Sequence, residues 1–347
     1  MTGRNQQYRV VQWATGNIGS RALRAVIEHP DLVLAGAYVY SEEKAGRDVG
    51  ELCGLGPTGV VATGVIEEVL DLGADCILYM PRACNFDDLG RLLESGANVV
   101  TTRGEFHRAE SLDTAVRERI EAACARGNTS IHSTGSSPGF ISEAVPLVLT
   151  SIQRRLDSLT INEFADLSQR NSPTLLFELM GFGSDPKQFD RHRWSHGKQS
   201  FGPSLELVAD ALSLPLDGIE AGGEIVTADR SVDIAAGRIE RGTVAAQRMI
   251  VSGMRGGRPL LTFSATWYCT TALDAPWDLR PTGWHLLIDG DAPLDVEMRL
   301  AVPLERMGEM SPAFTANRAV NAIPFVCAAA SGIRSTVDLP QIIATLG

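Results

Sequence analysis

The sequence predicts an α/β protein: a doubly wound parallel sheet, then a second α+β domain with an open, largely antiparallel sheet. Three observations carry this. From residue 8 to about 149, short apolar runs alternate with amphipathic segments, the strand–helix order that winds a parallel sheet. From residue 223 to 303, strand-like runs follow one another across short turns, which favours antiparallel pairing. The chain has 347 residues, 44% of them hydrophobic, more than one small core uses and enough for two domains.

The first strand covers residues 9–13. Ala14, Thr15, Gly16, Asn17, Ile18 and Gly19 make the turn that follows. A helix to Glu28 carries Leu23, Val26 and Ile27 on one face, His29-Pro30-Asp31 ends it, and residues 32–39 form the next strand. In this β-α-β setting the spacing Ala-x-Gly-x-x-Gly is the dinucleotide-binding fingerprint, with Ala14 at its first glycine. Gly16 lets the backbone approach a pyrophosphate held at the helix N-terminus, and Gly19 lets the helix pack close to the strand. The tip of the second strand reads Tyr40-Ser41 where an NAD-selective site carries an acid, and Lys44 follows with Arg47 nearby. A hydroxyl and a cation suit a 2′-phosphate, so NADP is the expected cofactor; NAD stays open because Glu42 or Glu43 could hold the ribose instead.

Residues 46–64 hold six glycines and a proline and read as a loop, with a short strand near Gly59-Val60-Val61-Ala62. A helix at 66–72 and a strand at 74–80 follow. Ligands lie beyond the carboxyl ends of such strands, so Met80, Pro81 and Arg82 should face the cofactor. After a helix at 86–95, the strand 98–102 ends at Thr102 and delivers Arg103, Gly104 and Glu105 to the same edge. A helix at 111–126 leads to the strand 129–134 and the loop Gly135-Ser136-Ser137-Pro138-Gly139-Phe140, which starts a helix to about 149. Thr102 and Pro138 complete the expected cofactor edge.

The second domain should open with a strand at 157–164 and a helix at 172–180. A polar loop at 181–202 then bears His192, Trp194 and His196, before a helix at 205–214. Strands are expected at 243–251, 259–271, 284–288 and 294–302, with turns at Met254-Arg255-Gly256-Gly257 and Ile288-Asp289-Gly290. The apolar helix at 316–330 contains Pro324, which should kink it, and its natural partner is the first domain. The expected boundaries are 1–142 for dinucleotide binding, 143–309 for substrate and dimerisation, and 310–347 for a helical segment returning to the first domain.

The net charge of -11 argues against a nucleic-acid binder, which needs a basic face. No apolar run reaches membrane-spanning length. Residues 1–7 are polar and lead into a strand, so no signal peptide is expected. The six cysteines form no Cys-x-x-Cys and read as reduced thiols of a cytoplasmic protein.

Three groups compete for the chemistry. Glu105 stands just past a strand, where a carboxylate can hold an ammonium ion or exchange protons beside a hydride-transfer site; alone, it could equally be a solvated loop residue. His192 and His196 are four apart but lack a third ligand nearby, so no metal is expected and a single histidine in the pocket, His196 more than His192, is favoured. The Ser136–Phe140 loop can offer backbone N–H groups or simply cap a helix. No Ser-His-Asp spacing or phosphate loop occurs.

Trp13-Ala14-Thr15-Gly16-Asn17-Ile18-Gly19, Val99-Val100-Thr101-Thr102 leading to Glu105, Ser137-Pro138-Gly139-Phe140, and Asn162-Glu163-Phe164-Ala165-Asp166 leading to Met180-Gly181-Phe182-Gly183 resemble the 2,4-diaminopentanoate dehydrogenase family. Its relatives include the native amine dehydrogenases and, more distantly, the dihydrodipicolinate reductases. The resemblance covers most of residues 8–335. It implies an NAD(P)-binding Rossmann domain, a second sheet domain, a homodimer, and interconversion of an amine with a carbonyl plus ammonia. The family's cleft glutamate matches Glu105. The reductases' adjacent histidines with a downstream lysine are absent: His132 stands alone, and no lysine lies between Lys44 and Lys187. Pocket candidates are Phe140, Ser142, Glu143, Arg170, Asn171, Thr174 and His196; Arg170 and Asn171 suit a substrate with a second polar group. The alternatives are an imine or carbonyl reductase, which would not need ammonium, and a non-catalytic NAD(P)-sensing protein. The homodimer is expected through the second sheet, whose outer face needs a cover.

Overall fold

The computed structural model describes residues 7–190 and 192–346; residues 1–6 of the polar opening segment, on which the signal-peptide expectation rests, and Arg191 of the cationic stretch lie outside them. The chain divides into two compact units, Met1–Phe140 with Pro312–Gly347, and Ile141–Ser311.

In the first unit the elements run β1 (Tyr8–Trp13), α1 (Asn17–Glu28), β2 (Leu32–Tyr38), α2 (Val49–Leu52), β3 (Ala62–Thr63), α3 (Ile66–Leu70), β4 (Cys76–Tyr79), α4 (Phe86–Glu94), β5 (Asn98–Thr101), α5 (Thr114–Gly127) and β6 (Ser130–Ser133). In the second unit they run α6 (Val145–Thr150), β7 (Leu156–Asp166), α7 (Arg193–Ala211), β8 (Gly218–Thr227), β9 (Val232–Ile234), β10 (Gly237–Ile239), β11 (Val244–Arg255), β12 (Arg258–Tyr268), β13 (Gly283–Gly290) and β14 (Leu294–Arg299). The long helix α8 (Leu304–Cys327) and the strand β15 (Gly332–Arg334) finish the chain.

The first unit's sheet has the order β15-β6-β5-β4-β1-β2-β3, and its strands pair in parallel. Side chains alternate across a strand, and here both faces are covered. Val11, Trp13, Ile77, Tyr79, Val99 and Ile131 pack with Leu89, Leu92 and Ile120 of α4 and α5. Val10, Leu78 and Val100 pack with Ala22 and Val26 of α1 and with Ala316, Ala319, Val320, Ile323 and Val326 of α8. The small residues of α8 let it lie close to the strands. This helix starts at Leu304, well before the expected residue 316, and β15 was not expected at all.

The second unit's main sheet has the order β14-β13-β7-β12-β11-β8. Its hairpins are antiparallel, and the β11–β12 turn has positive φ at Gly256 (59°) and Gly257 (73°), the backbone of a tight hairpin turn. The sheet is largely antiparallel, as expected, with one parallel pair at its centre, β7 with β12. The physical reason is the long connection: β7 lies far upstream of the hairpins and inserts between β12 and β13. The polar loop expected at 181–202 is also corrected, since α7 begins at Arg193 and packs on β8, β11 and β12. Gly197, Gly202 and Pro203 hid it. Gly197 is there because a Cβ would stand 2.1 Å from Met249 Sδ, and Phe201 stacks on Phe263 with ring centroids 3.9 Å apart.

Candidate active site

The turn after β1 has the shape a dinucleotide needs. Ala14 has φ 71°, a left-handed backbone that explains why glycine is the usual residue there. A Cβ on Gly19 would meet the Ala14 carbonyl oxygen at 2.1 Å, whereas one on Gly16 would point into open space. Helix α1 starts at Asn17 with no side-chain cap and no acid in its first turn, so its first N–H groups are left for an anion. Thr15 is buried; Asn17 closes onto Arg21, whose Nη1 donates to Asn17 Oδ1 at 2.6 Å. Ile18 joins the packing of α1 beneath the sheet. A bound nicotinamide dinucleotide fits this cradle: an open Gly16, a free helix end and a close strand–helix contact.

The tip of β2 is more aromatic than polar. Trp13 stacks on Tyr38 at 3.8 Å and donates its indole N–H to the Tyr40 hydroxyl at 2.9 Å. Ser41 is half-buried, and its carbonyl accepts from the N–H groups of Lys44 and Ala45. That turn swings Lys44 back onto the fingerprint, where Nζ donates to the Thr15 carbonyl at 3.0 Å and reaches Thr15 Oγ1 at 3.3 Å. Glu42 and Glu43 are exposed.

Glu105 is anchored from three strand ends. It lies in a single 3-10 turn, Gly104–Phe106, just past β5. Arg103 Nη2 donates to Glu105 Oε1 at 2.6 Å, the two side chains being 29% and 31% exposed. The guanidinium is itself fixed, Nη1 donating to the Arg82 carbonyl past β4 at 2.8 Å. Ser133, ending β6, donates to the Arg103 carbonyl at 2.6 Å, and Thr101 Oγ1 donates to the Tyr79 carbonyl at 2.6 Å. Glu105 Oε2 is buried and has no hydrogen-bond partner among the described residues. Burial pushes the nearby Cys84 thiol up to about 12, with the Glu105 charge adding to it, so that sulfur stays a neutral thiol. Met80 and Pro81 are buried, Arg82 is exposed and Thr102 is half-buried.

The loop after β6 holds further polar atoms in waiting. Thr134 Oγ1 and Ser137 Oγ are buried without a hydrogen-bond partner among the described residues. Gly139 has φ 117°, and a Cβ there would crowd Thr134 Oγ1 at 2.9 Å. Pro138 is half-buried beside it, and the Phe140 ring lies 5.8 Å from the Arg318 guanidinium carbon. Such buried atoms at a strand end keep hydrogen-bonding capacity that water, an ion or a ligand can meet.

In the second unit the expected pocket residues differ in exposure. Ser142 and Glu143 are fully buried, and Ser142 Oγ is 2.7 Å from Ser204 Oγ. Arg170 is half-buried, while Asn171, Thr174 and His196 are exposed. His196 belongs to α7, not to a loop. Among the described residues no group of three or more His, Cys, Asp or Glu could hold a metal ion, and no helix is long and apolar enough to cross a membrane. One feature escaped the sequence reading: Arg103 as the partner of Glu105, whose signal was the i,i+2 spacing at a strand end.

Residues 140–347 match the family of the 2,4-diaminopentanoate dehydrogenase C-terminal domain, and residues 10–118 match the N-terminal domain of dihydrodipicolinate reductase. An amine dehydrogenase of Streptomyces virginiae is 28% identical, covering 95% of each chain. The 2,4-diaminopentanoate dehydrogenase of Acetoanaerobium sticklandii is 22% identical, over 83% of this chain and 80% of that one. The solved structure of an amine dehydrogenase from Mycobacterium smegmatis shares the fold, with TM-score 0.77, 19% identity and 97% of each chain covered.

Proposed function

The chain belongs to the 2,4-diaminopentanoate dehydrogenase family, and from that premise we infer that it is an NAD(P)-dependent amine dehydrogenase. It interconverts an amine with a ketone or aldehyde plus ammonia. The observation that carries the chemistry is Glu105, half-buried past β5 with one oxygen on Arg103 and the other without a partner among the described residues. The nicotinamide, when bound, supplies or accepts the hydride. The chain's own residues do the rest. Gly16 and the open end of α1 receive the pyrophosphate. Glu105 Oε2 accepts a hydrogen bond from ammonium or from the iminium N–H, and takes or returns a proton as the carbonyl carbon gains or loses nitrogen. Arg103 fixes the carboxylate so that this oxygen, and not the paired one, meets the substrate. The fixed negative charge favours the cationic iminium over the neutral carbonyl.

Consumption of NADPH with a panel of ketones and aldehydes, with and without ammonium, tests this. The expected result is turnover only with ammonium. Equal rates without it would point to a carbonyl reductase, and no turnover at all to a sensor.

The finer readings are proposals. NADP is preferred over NAD, because no acid ends β2 and Lys44, already drawn to Thr15, lies close to the turn. Ammonia is the nitrogen donor, on the strength of Glu105. The assembly is a homodimer through the face of the second sheet that bears Thr160, Asn162, Ser252, Thr262 and Leu287. These are half-buried or exposed, as expected for a sheet face awaiting a partner. Light scattering at micromolar concentration checks it; a monomer counts against it. Six free cysteines fit a reducing, cytoplasmic setting.

A further inference from the structure

A glutamine lies inside the first unit where β1 is otherwise apolar. Gln12 follows Val10 and Val11 and precedes Trp13, and all four are fully buried. Its Nε2 faces three carbonyl oxygens, donating to that of Ala14 at 2.9 Å and to those of Trp13 and Leu78 at 3.3 Å each. Its Oε1 is buried and has no hydrogen-bond partner among the described residues. A buried amide left half-satisfied costs stability, and an apolar side chain would serve packing better. The role of Gln12 therefore lies in the carbonyls it holds.

The shortest of the three bonds goes to Ala14, the residue with φ 71°. An L side chain is strained in that left-handed backbone, so the turn relaxes unless the residue is held on both sides. On one side the Ala14 N–H donates to the Tyr38 carbonyl at 2.9 Å. On the other, Gln12 holds the Ala14 carbonyl. The same two groups border the place where α1 approaches the strand, since a Cβ on Gly19 would stand 2.1 Å from the Ala14 oxygen and 3.0 Å from Gln12 Nε2. The Ala14 carbonyl leads directly into Thr15 and Gly16, the backbone that a pyrophosphate approaches.

We propose that Gln12 is a positioning residue for the dinucleotide: it holds the strained Ala14 turn in the shape that receives the pyrophosphate. Glycine takes a positive φ without strain, so a glycine in the fingerprint's first position would make the tether unnecessary. The proposal rests on dinucleotide binding by the first unit and not on the amine chemistry.

Calorimetric titration of the full chain with NADP and with NAD tests it in the wild type, Gln12→Met, Ala14→Gly and the double variant. Methionine matches glutamine in length and has no donor. Gln12→Met should weaken both cofactors by about tenfold, the scale of one lost buried hydrogen bond. The NADP-to-NAD ratio should stay unchanged, because the pyrophosphate is common to the two. In the Ala14→Gly background the same change should cost about twofold or less, so that the two substitutions couple. Unchanged affinity in Gln12→Met overturns the proposal; so does an equal loss in both backgrounds, which a general loss of packing would give. If Gln12→Met fails to fold, Gln12→Glu serves, since it keeps the size and its carboxyl donates only when protonated. Its NAD affinity should then rise as pH falls, more steeply than that of the wild type. A profile parallel to the wild type's overturns the proposal. A wild type that binds neither cofactor overturns the dinucleotide reading, and the proposal with it.

Discussion

Glu105 and Glu163 are both half-buried carboxylates close to strand ends, one in each unit, and they differ in what faces them. Glu105 has a guanidinium at 2.6 Å, itself held by a carbonyl. Glu163 has two indole N–H groups and no cation among the described residues. The guanidinium holds one oxygen of Glu105 and leaves the other without a partner among the described residues, an arrangement that suits a group that must bind ammonium, pass a proton and let go in each turnover. Both oxygens of Glu163 are met by neutral donors. Residue type is the same in both; the neighbouring groups differ.

The largest effect should come from breaking the first arrangement. Glu105→Gln keeps the size and removes the charge and the proton acceptor, so turnover of amine formation should fall by about a hundredfold or more. Cofactor affinity should survive, because Glu105 lies outside the phosphate cradle. Near wild-type rates across several pH values would make Glu105 a bystander and dissolve the comparison. Arg103→Gln sharpens it: the reacting group stays and only its aim is lost, so about a tenfold fall in kcat is expected. A loss equal to that of Glu105→Gln in steady-state kinetics would mean that the pair acts as one unit.

A smaller effect tests the same edge of the sheet through the cofactor. Ser41→Asp places an acid where a 2′-phosphate would lie, and should move the NADP-to-NAD affinity ratio toward NAD by about tenfold through like-charge repulsion. Tighter binding of NAD than NADP by the wild type would refute the starting preference. The smallest effect concerns Ala14. Its left-handed backbone, φ 71°, costs about 1–2 kcal/mol, while glycine adds about 0.4–1 kcal/mol of unfolded-chain entropy. Ala14→Gly should therefore stabilise the fold by roughly 0.5 kcal/mol, read as a higher midpoint in urea. A lower midpoint would mean that the Ala14 methyl packs better than its backbone strain costs.

Much of the first unit was legible before any coordinates, because its signals are local. Strand, turn, helix and strand follow within about thirty residues, and the close approach at Gly19 needs only the residues beside it. The position of Glu105 past β5 could be read because it follows a buried strand, and the ligand edge of a parallel sheet is set by strand direction. What the sequence could not settle depends on partners far along the chain. The parallel pairing of β7 with β12 joins segments about a hundred residues apart, and β15 completes a sheet begun by β1. Helix α7 was hidden because Gly197 looks like a helix breaker until Met249 is seen against it. The Arg103 clamp on Glu105 and the indole pair around Glu163 were likewise decided by tertiary structure. A local pattern specifies which backbone a segment adopts, but the charge facing a side chain comes from whichever distant residue the fold brings beside it.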